Sequence, residues 1–140
     1  MFFVRFNKMS QKDALIQTAR SALKFAYAPY SKYRVGAALL SASGKIFTGC
    51  NVENTSYGLT VCAERVAIFK AVSAGERKFK AIAITALAPL SAGQSKKVRP
   101  CGACLQVMKE FADDLTLYLV SGKKIEIKKL SDLLPEAFVL

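Results

Sequence analysis

The chain has 140 residues, with 21 Lys and Arg against 10 Asp and Glu, a formal charge of +11, four Cys and no His. That length suits one domain with a core large enough to stand without disulfide staples. The missing His excludes the commonest general base and the commonest metal ligand, leaving Cys, carboxylates, Lys, Tyr or a metal for chemistry at neutral pH.

Ser10 and Asp13 mark a helix start, and Leu15, Ala19, Ala22, Leu23 and Ala26 repeat at helical spacing until Pro29 ends the run. Tyr33 to Leu40 and Lys45 to Asn51 read as a hairpin across a turn containing Gly44. A second helix is expected from Val61 or Cys62 to a cap at Gly75. Phe79 to Leu87 contains Ala81-Ile82-Ala83-Ile84, apolar on both faces, which predicts a central strand. Ala88 to Arg99 reads as an exposed loop leading to Pro100. A third helix is expected from about Cys101 to Ala112, with Leu105, Met108 and Phe111 on its apolar face.

Leu115 to Val120 and Lys124 to Lys129 are the fourth and fifth strands, and Asp132 to Phe138 a terminal turn or short helix. The order α, β, β, α, β, α, β, β predicts an α/β fold, a five-stranded mixed sheet inside a three-layer α-β-α sandwich. Ser121 to Lys123 is too short for a parallel crossover, so the last two strands are expected to be antiparallel. Residues 1–140 read as a single domain, with 1–9 as an N-terminal extension. MFFVRFNKM is too short for a signal-peptide core and no later stretch reaches membrane-span length, so the expected location is cytoplasmic. In a reducing compartment, four Cys are better read as thiols or metal ligands than as disulfides.

Cys62-Ala63-Glu64 opens the second helix and Pro100-Cys101-Gly102-Ala103-Cys104 the third. Cys101 and Cys104 lie one helical turn apart, so their sulfurs can face one point, and Cys62 can supply a third ligand. Helix N-termini favour thiolates there. Three thiolates around Zn2+ leave a fourth position for water, as in catalytic rather than structural zinc sites, and Glu64 is the expected proton carrier while zinc-activated hydroxide attacks an electrophilic carbon. Arg65 is a candidate donor to the thiolates that would offset their excess negative charge, the alternative being a solvated helix arginine. The alternative is a closed structural site with Cys50 as fourth thiolate, or inert buried thiols; Cys50 itself reads better as a small buried strand residue. Cys-x-Glu together with Pro-Cys-x-x-Cys is close to the motif of zinc-dependent nucleobase deaminases.

With these motifs stand Tyr27-Ala28-Pro29-Tyr30-Ser31, Val35-Gly36-Ala37-Ala38-Leu39-Leu40, Gly49-Cys50-Asn51-Val52-Glu53-Asn54, Gln106-Val107 and Leu133-Leu134-Pro135. From about Ser10 to Phe138 the chain resembles the cytidine deaminase family, specifically its short homotetrameric type. The resemblance implies hydrolysis of cytidine and deoxycytidine to uridine and deoxyuridine with release of ammonia, a role in pyrimidine salvage, and one zinc per subunit. It implies zinc ligation by Cys62, Cys101 and Cys104 and a proton shuttle at Glu64. Asn51 and Glu53 match the pair that hydrogen-bonds ribose hydroxyls, a reading compatible with alternate strand positions sharing a face.

The resemblance further implies substrate contacts at Tyr33 and Ala63, the former in place of the usual Phe, and a pocket completed by Tyr57 and Phe138 of neighbouring subunits. Leu105 in place of the usual Arg, Glu136 in place of a small residue, and a long loop carrying Lys96 and Lys97 depart from the family pattern. The implied partners are a small nucleoside and further copies of the chain, with no membrane. A nucleic-acid deaminase, which the positive charge superficially favours, is opposed by Cys62 where such enzymes usually carry His and by the short connection between the last strands. A deaminase of a cytosine nucleoside antibiotic is disfavoured by Asn51 and Glu53.

Overall fold

The computed structural model describes residues 9–88 and 97–140. Ser10 caps helix α1 (Gln11–Ala22) by accepting from the backbone N–H of Asp13 at 3.1 Å. The strands are β1 (Arg34–Ser41), β2 (Ile46–Cys50), β3 (Phe79–Leu87), β4 (Thr116–Ser121) and β5 (Lys124–Lys129). Helix α2 (Ala63–Ser73) joins β2 to β3, α3 (Gly102–Phe111) precedes β4, and α4 (Leu130–Leu133) follows β5. They form the expected mixed sheet, ordered β2-β1-β3-β4-β5. Only β3 and β4 are parallel; the β4–β5 pair is antiparallel across a turn in which Gly122 takes φ 61°. The expected central strand is found at β3, with β1 on one side and β4 on the other.

Side-chain alternation divides the interior into two layers. Ala38, Leu40, Ala81, Ala83 and Val120 face α1, whereas Ala37, Leu39, Ile82, Ile84, Leu117 and Leu119 face α2 and α3. The α1 side is small and the other side bulky, so α1 can lie close to the sheet. Gly36 and Gly49 make this contact geometry possible. A Cβ on Gly36 would collide with the Ala19 carbonyl of α1, and one on Gly49 with the Ala63 carbonyl at the start of α2. The second contact matters for function, because it seats the beginning of α2 against the end of β2.

Several boundaries differ from the sequence pattern. α1 does not run to Pro29: it tightens into a 3-10 turn over Leu23–Phe25, and Ala26 leaves helical geometry with ψ 132°. The competing interactions are tertiary, since the Tyr27 N–H donates to Asn51 O at 2.9 Å and the Glu53 N–H donates to Tyr27 O at 2.9 Å. A 3-10 turn at Tyr57–Leu59 has no apolar period to announce it. Cys101 lies just outside α3 rather than within it, and the terminal helix forms earlier, at Leu130–Leu133, where the Lys129 N–H donates to Asp132 Oδ2 at 2.8 Å. Of the expected loop from Ala88 to Arg99, residues 89–96, including Lys96, lie outside the described residues.

Gly49→Ala is expected to destabilise the fold by about 1–3 kcal/mol through overpacking against a main-chain carbonyl that cannot rotate away. Gly58→Ala, at a position where a Cβ meets nothing within 4 Å, is the control and is expected to be neutral or slightly stabilising. Thermal melting of the two variants beside the parent measures the difference.

Candidate metal centre

Two helix starts meet at one end of the sheet. Cys62 is the N-cap of α2 and Cys101 the N-cap of α3, both with extended backbones, at ψ 154° and ψ 165°. Neither side chain caps its own helix. A Ser, Thr or Asp in either place would turn its oxygen back to a backbone N–H; the sulfurs instead remain available to a ligand. Cys104, in the first turn of α3, is fully buried.

The three Sγ atoms all lie within 4.8 Å of one another. Cys62 Sγ is 3.7 Å from Cys101 Sγ, which is 3.4 Å from Cys104 Sγ. Tetrahedral zinc with Zn–S bonds of about 2.3 Å requires sulfurs about 3.8 Å apart, so the three side chains fit that ion with small adjustments. Cys50 is not in the cluster; it sits in β2 opposite Gly36, half-buried, with its thiol pushed up by burial. The closed four-thiolate arrangement therefore has no fourth sulfur among the described residues.

The sulfurs do not share protons evenly. Hydrogen bonding with Cys104, aided by Arg65, draws the Cys62 thiol down to about 5, while the same pairing pushes the Cys104 thiol up. Three adjacent thiolates would repel, and a divalent cation is what lets all three ionise. Arg65 Nη2 lies 3.6 Å from Cys62 Sγ, and the Arg65 Nε is buried without a partner among the described residues, a cationic side chain held against the sulfurs rather than released to solvent. The Leu105 side chain, next to Cys104, is buried in the core and adds no charge.

Glu64 is 4% exposed and its Oε2 accepts from the Cys104 thiol at 3.1 Å. Burial, the leading cause, raises its carboxyl above the usual range. Glu64, Cys62 and Cys101 line a cleft of about 260 Å3 together with Tyr33, Asn51 and Glu53. Asn51 is locked at the start of β1: its Oδ1 accepts from the Val35 N–H at 2.9 Å and its Nδ2 donates to the carbonyl of Tyr33, just before the strand, at 2.8 Å. Glu53 accepts from the N–H groups of Tyr30 and Ser31 at 3.0 and 3.1 Å and from the Ser31 hydroxyl. These donors, the hydroxyl first, hold its carboxyl below the usual range. Tyr33 is half-buried in the same wall, its phenol raised by burial and then by the Glu64 charge.

Ala63 is fully buried between Cys62 and Glu64. Tyr57 and Phe138 are not in this cleft: they are 76% and 70% exposed. Tyr57 packs edge-on to Tyr30, and the Phe138 carbonyl accepts from Gln106 Nε2 at 2.9 Å. Sequence reasoning missed Ser31 as the anchor of Glu53 and Arg99 as part of the cleft wall. Their partners are 22 and 27 residues away, beyond any local pattern.

Residues 9–120 match the family model described as "Cytidine and deoxycytidylate deaminase zinc-binding region". The chain is 48% identical to a cytidine deaminase of Sporosarcina psychrophila over 128 residues, covering 90% of each protein. It is 45% identical to one from Halalkalibacterium halodurans, over 91% of this chain and 93% of that protein. The crystal structure of a Burkholderia pseudomallei cytidine deaminase superposes with a TM-score of 0.81 at 46% identity, covering 89% of this chain and 97% of the other.

Replacing Cys62, Cys101 or Cys104 with Ala is expected to abolish stoichiometric zinc binding and lower the melting temperature, because metal binding and folding are linked. Cys50→Ala is expected to keep a full complement of zinc. Elemental analysis of the dialysed proteins distinguishes the outcomes.

Proposed function

The chain belongs to the cytidine and deoxycytidylate deaminase family, and we propose that it hydrolyses cytidine and deoxycytidine to uridine and deoxyuridine with release of ammonia, in pyrimidine salvage. The observation that carries this reading is a buried carboxyl, Glu64, 3.1 Å from one of three converging sulfurs and inside a cleft that also presents Asn51 and Glu53. Zinc held by Cys62, Cys101 and Cys104 would supply the Lewis acidity that makes water nucleophilic near neutral pH.

Glu64 performs the proton transfers. Water adds at C4 of the base; Glu64 takes a proton from that water and delivers it to the adjacent ring nitrogen, making C4 the better electrophile. A second proton, from the hydroxyl now on C4, passes through the same carboxylate to the exocyclic amine; the C4–N bond breaks, the C4 carbonyl forms, and ammonia leaves. The raised affinity of the buried Glu64 for protons suits a group that must both accept and return them. No His is needed.

Asn51 and Glu53 grip the sugar. Among the described residues Asn51 retains one free amide N–H after its bonds to Val35 and Tyr33, and Glu53 retains acceptor capacity after its three donors, so the pair can donate to and accept from ribose hydroxyls. Tyr33 stacks on the base, and the backbone at Ala63 contacts it. Arg65 offsets the negative charge of the thiolates, which would otherwise weaken the Lewis acid. In a homotetramer, the exposed Tyr57 and Phe138 cover the pocket of neighbouring subunits; Tyr27, Leu59 and Phe69 are further apolar side chains exposed on the single chain.

A nucleic-acid substrate is disfavoured by the small cleft and by the antiparallel last strands. Among the described residues no helix is long and apolar enough to cross a membrane, and we place the enzyme in the cytoplasm.

The fall in ultraviolet absorbance as cytidine becomes uridine is the direct assay. We expect turnover by the parent and a loss of about 10²–10⁴-fold in Glu64→Gln with zinc retained. A parent protein carrying full zinc yet inactive on both nucleosides would overturn the reading. Sedimentation is expected to give a tetramer; a fully active monomer would contradict the shared pocket.

A further inference from the structure

Cys101 is the most exposed of the three sulfur-bearing residues, and the chain that delivers it is not helical: residues 97–100 have no regular secondary structure. Something other than helix hydrogen bonding must hold that approach in place. Val98 is buried and its N–H donates to Ser121 Oγ at 3.3 Å, but Arg99 makes the more telling contacts. Its Nη1 donates to the Val98 carbonyl at 2.8 Å, and its Nη2 donates to Glu126 Oε2 on β5 at 2.9 Å, with Nη1 3.4 Å from Oε1.

One planar group thus grips its own main chain and the sheet at once. An ordinary surface ion pair joins two side-chain tips and constrains little. Here the guanidinium is fastened to the peptide immediately before it, and the residue that follows is Pro100, itself buried. Proline fixes its own φ and restricts the residue before it, leaving few soft torsions between Val98 and Cys101. A displacement at Arg99 is therefore passed on to the sulfur rather than absorbed. Arg99 also lines the cleft, on the wall with Val98 and Ile84.

We infer that Arg99, clamped by Glu126, is a positioning residue that presents Cys101 to the metal and holds the adjoining cleft wall. The inference rests on the reading of Cys101 as a zinc ligand, and it concerns residues that the thiolate motif does not include. Lysine cannot replace the arginine, because a single ammonium cannot span a carbonyl and a carboxylate in the same fork. The other ion pair among the described residues, Lys45 with Glu76 at 3.6 Å, sits by the turn between β1 and β2, at the opposite end of the hairpin from the metal cluster, and serves as the comparison.

The test is the rate at which zinc passes from the loaded protein to a chromogenic chelator. Arg99→Ala and Glu126→Gln are each expected to release zinc roughly tenfold faster than the parent. The double variant is expected to be no faster than either single one, Arg99→Lys not to restore the parent rate, and Glu76→Gln to match the parent. Far-ultraviolet circular dichroism checks that each variant is folded, and the nearly isosteric Glu126→Gln carries the test if Arg99→Ala is not. Parent-like release from Glu126→Gln, full rescue by Arg99→Lys, or an equal change in Glu76→Gln would overturn the inference. Because the readout is zinc release, it remains decisive even if the parent fails to deaminate cytidine.

Discussion

Three sulfurs held within 4.8 Å of one another cannot all carry negative charge unless a cation lies among them, and the arrangement of this protein answers to that constraint. Cys62 and Cys101 come from separate helices, 39 residues apart, and each occupies the cap position where a short oxygen-bearing side chain would ordinarily stabilise the helix. The capping stabilisation given up at both places is recovered in metal coordination. An ion bound there joins the start of α2 to the start of α3, so that the two helices packed on one face of the sheet are tied at their N-terminal ends. The positive ends of their dipoles and the Arg65 guanidinium favour thiolate in the same small volume.

Position follows from packing, and packing from side-chain size. The alanine-rich face under α1 and the leucine- and isoleucine-rich face under α2 and α3 place the sheet asymmetrically between its helices. Gly49 lets the first turn of α2 rest directly on β2, which brings Cys62 and Glu64 beside Asn51, just past the strand. Across the cleft, Val98 in the core and Arg99 on Glu126 fix the approach to Cys101. The two walls are thus set by different means, one by close backbone contact and the other by an anchored loop.

Much of this could be read in the residues. Cys101 and Cys104, one turn apart at one helix start, with Cys62 at another, point to a metal cluster by their spacing, and the structure brings the three sulfurs together. The brief Ser121 to Lys123 connection specifies the antiparallel final pair. Illegible were features decided by contacts distant in sequence. The apolar period continues past Ala22, yet Tyr27 leaves the helical path to bond Asn51. Ser31 looks like a turn residue until the fold sets Glu53 against it, and Arg99 looks like a surface cation until β5 supplies Glu126. Local periodicity reports which face of an element is buried; it contains no information about which loop will meet which strand. The excess of positive charge likewise changes meaning: with Glu53 and Glu64 both lining the cleft, two of the ten acidic residues belong to the pocket rather than to the rest of the surface.

The central claim is an open zinc site with three sulfur ligands beside a buried carboxyl. X-ray absorption at the zinc edge of the purified protein measures the ligand set directly. The account predicts three sulfur scatterers at about 2.3 Å and one lighter scatterer, oxygen or nitrogen, at about 2.0 Å. Four sulfurs would mean that Cys50 or a second chain closes the site, and would contradict it.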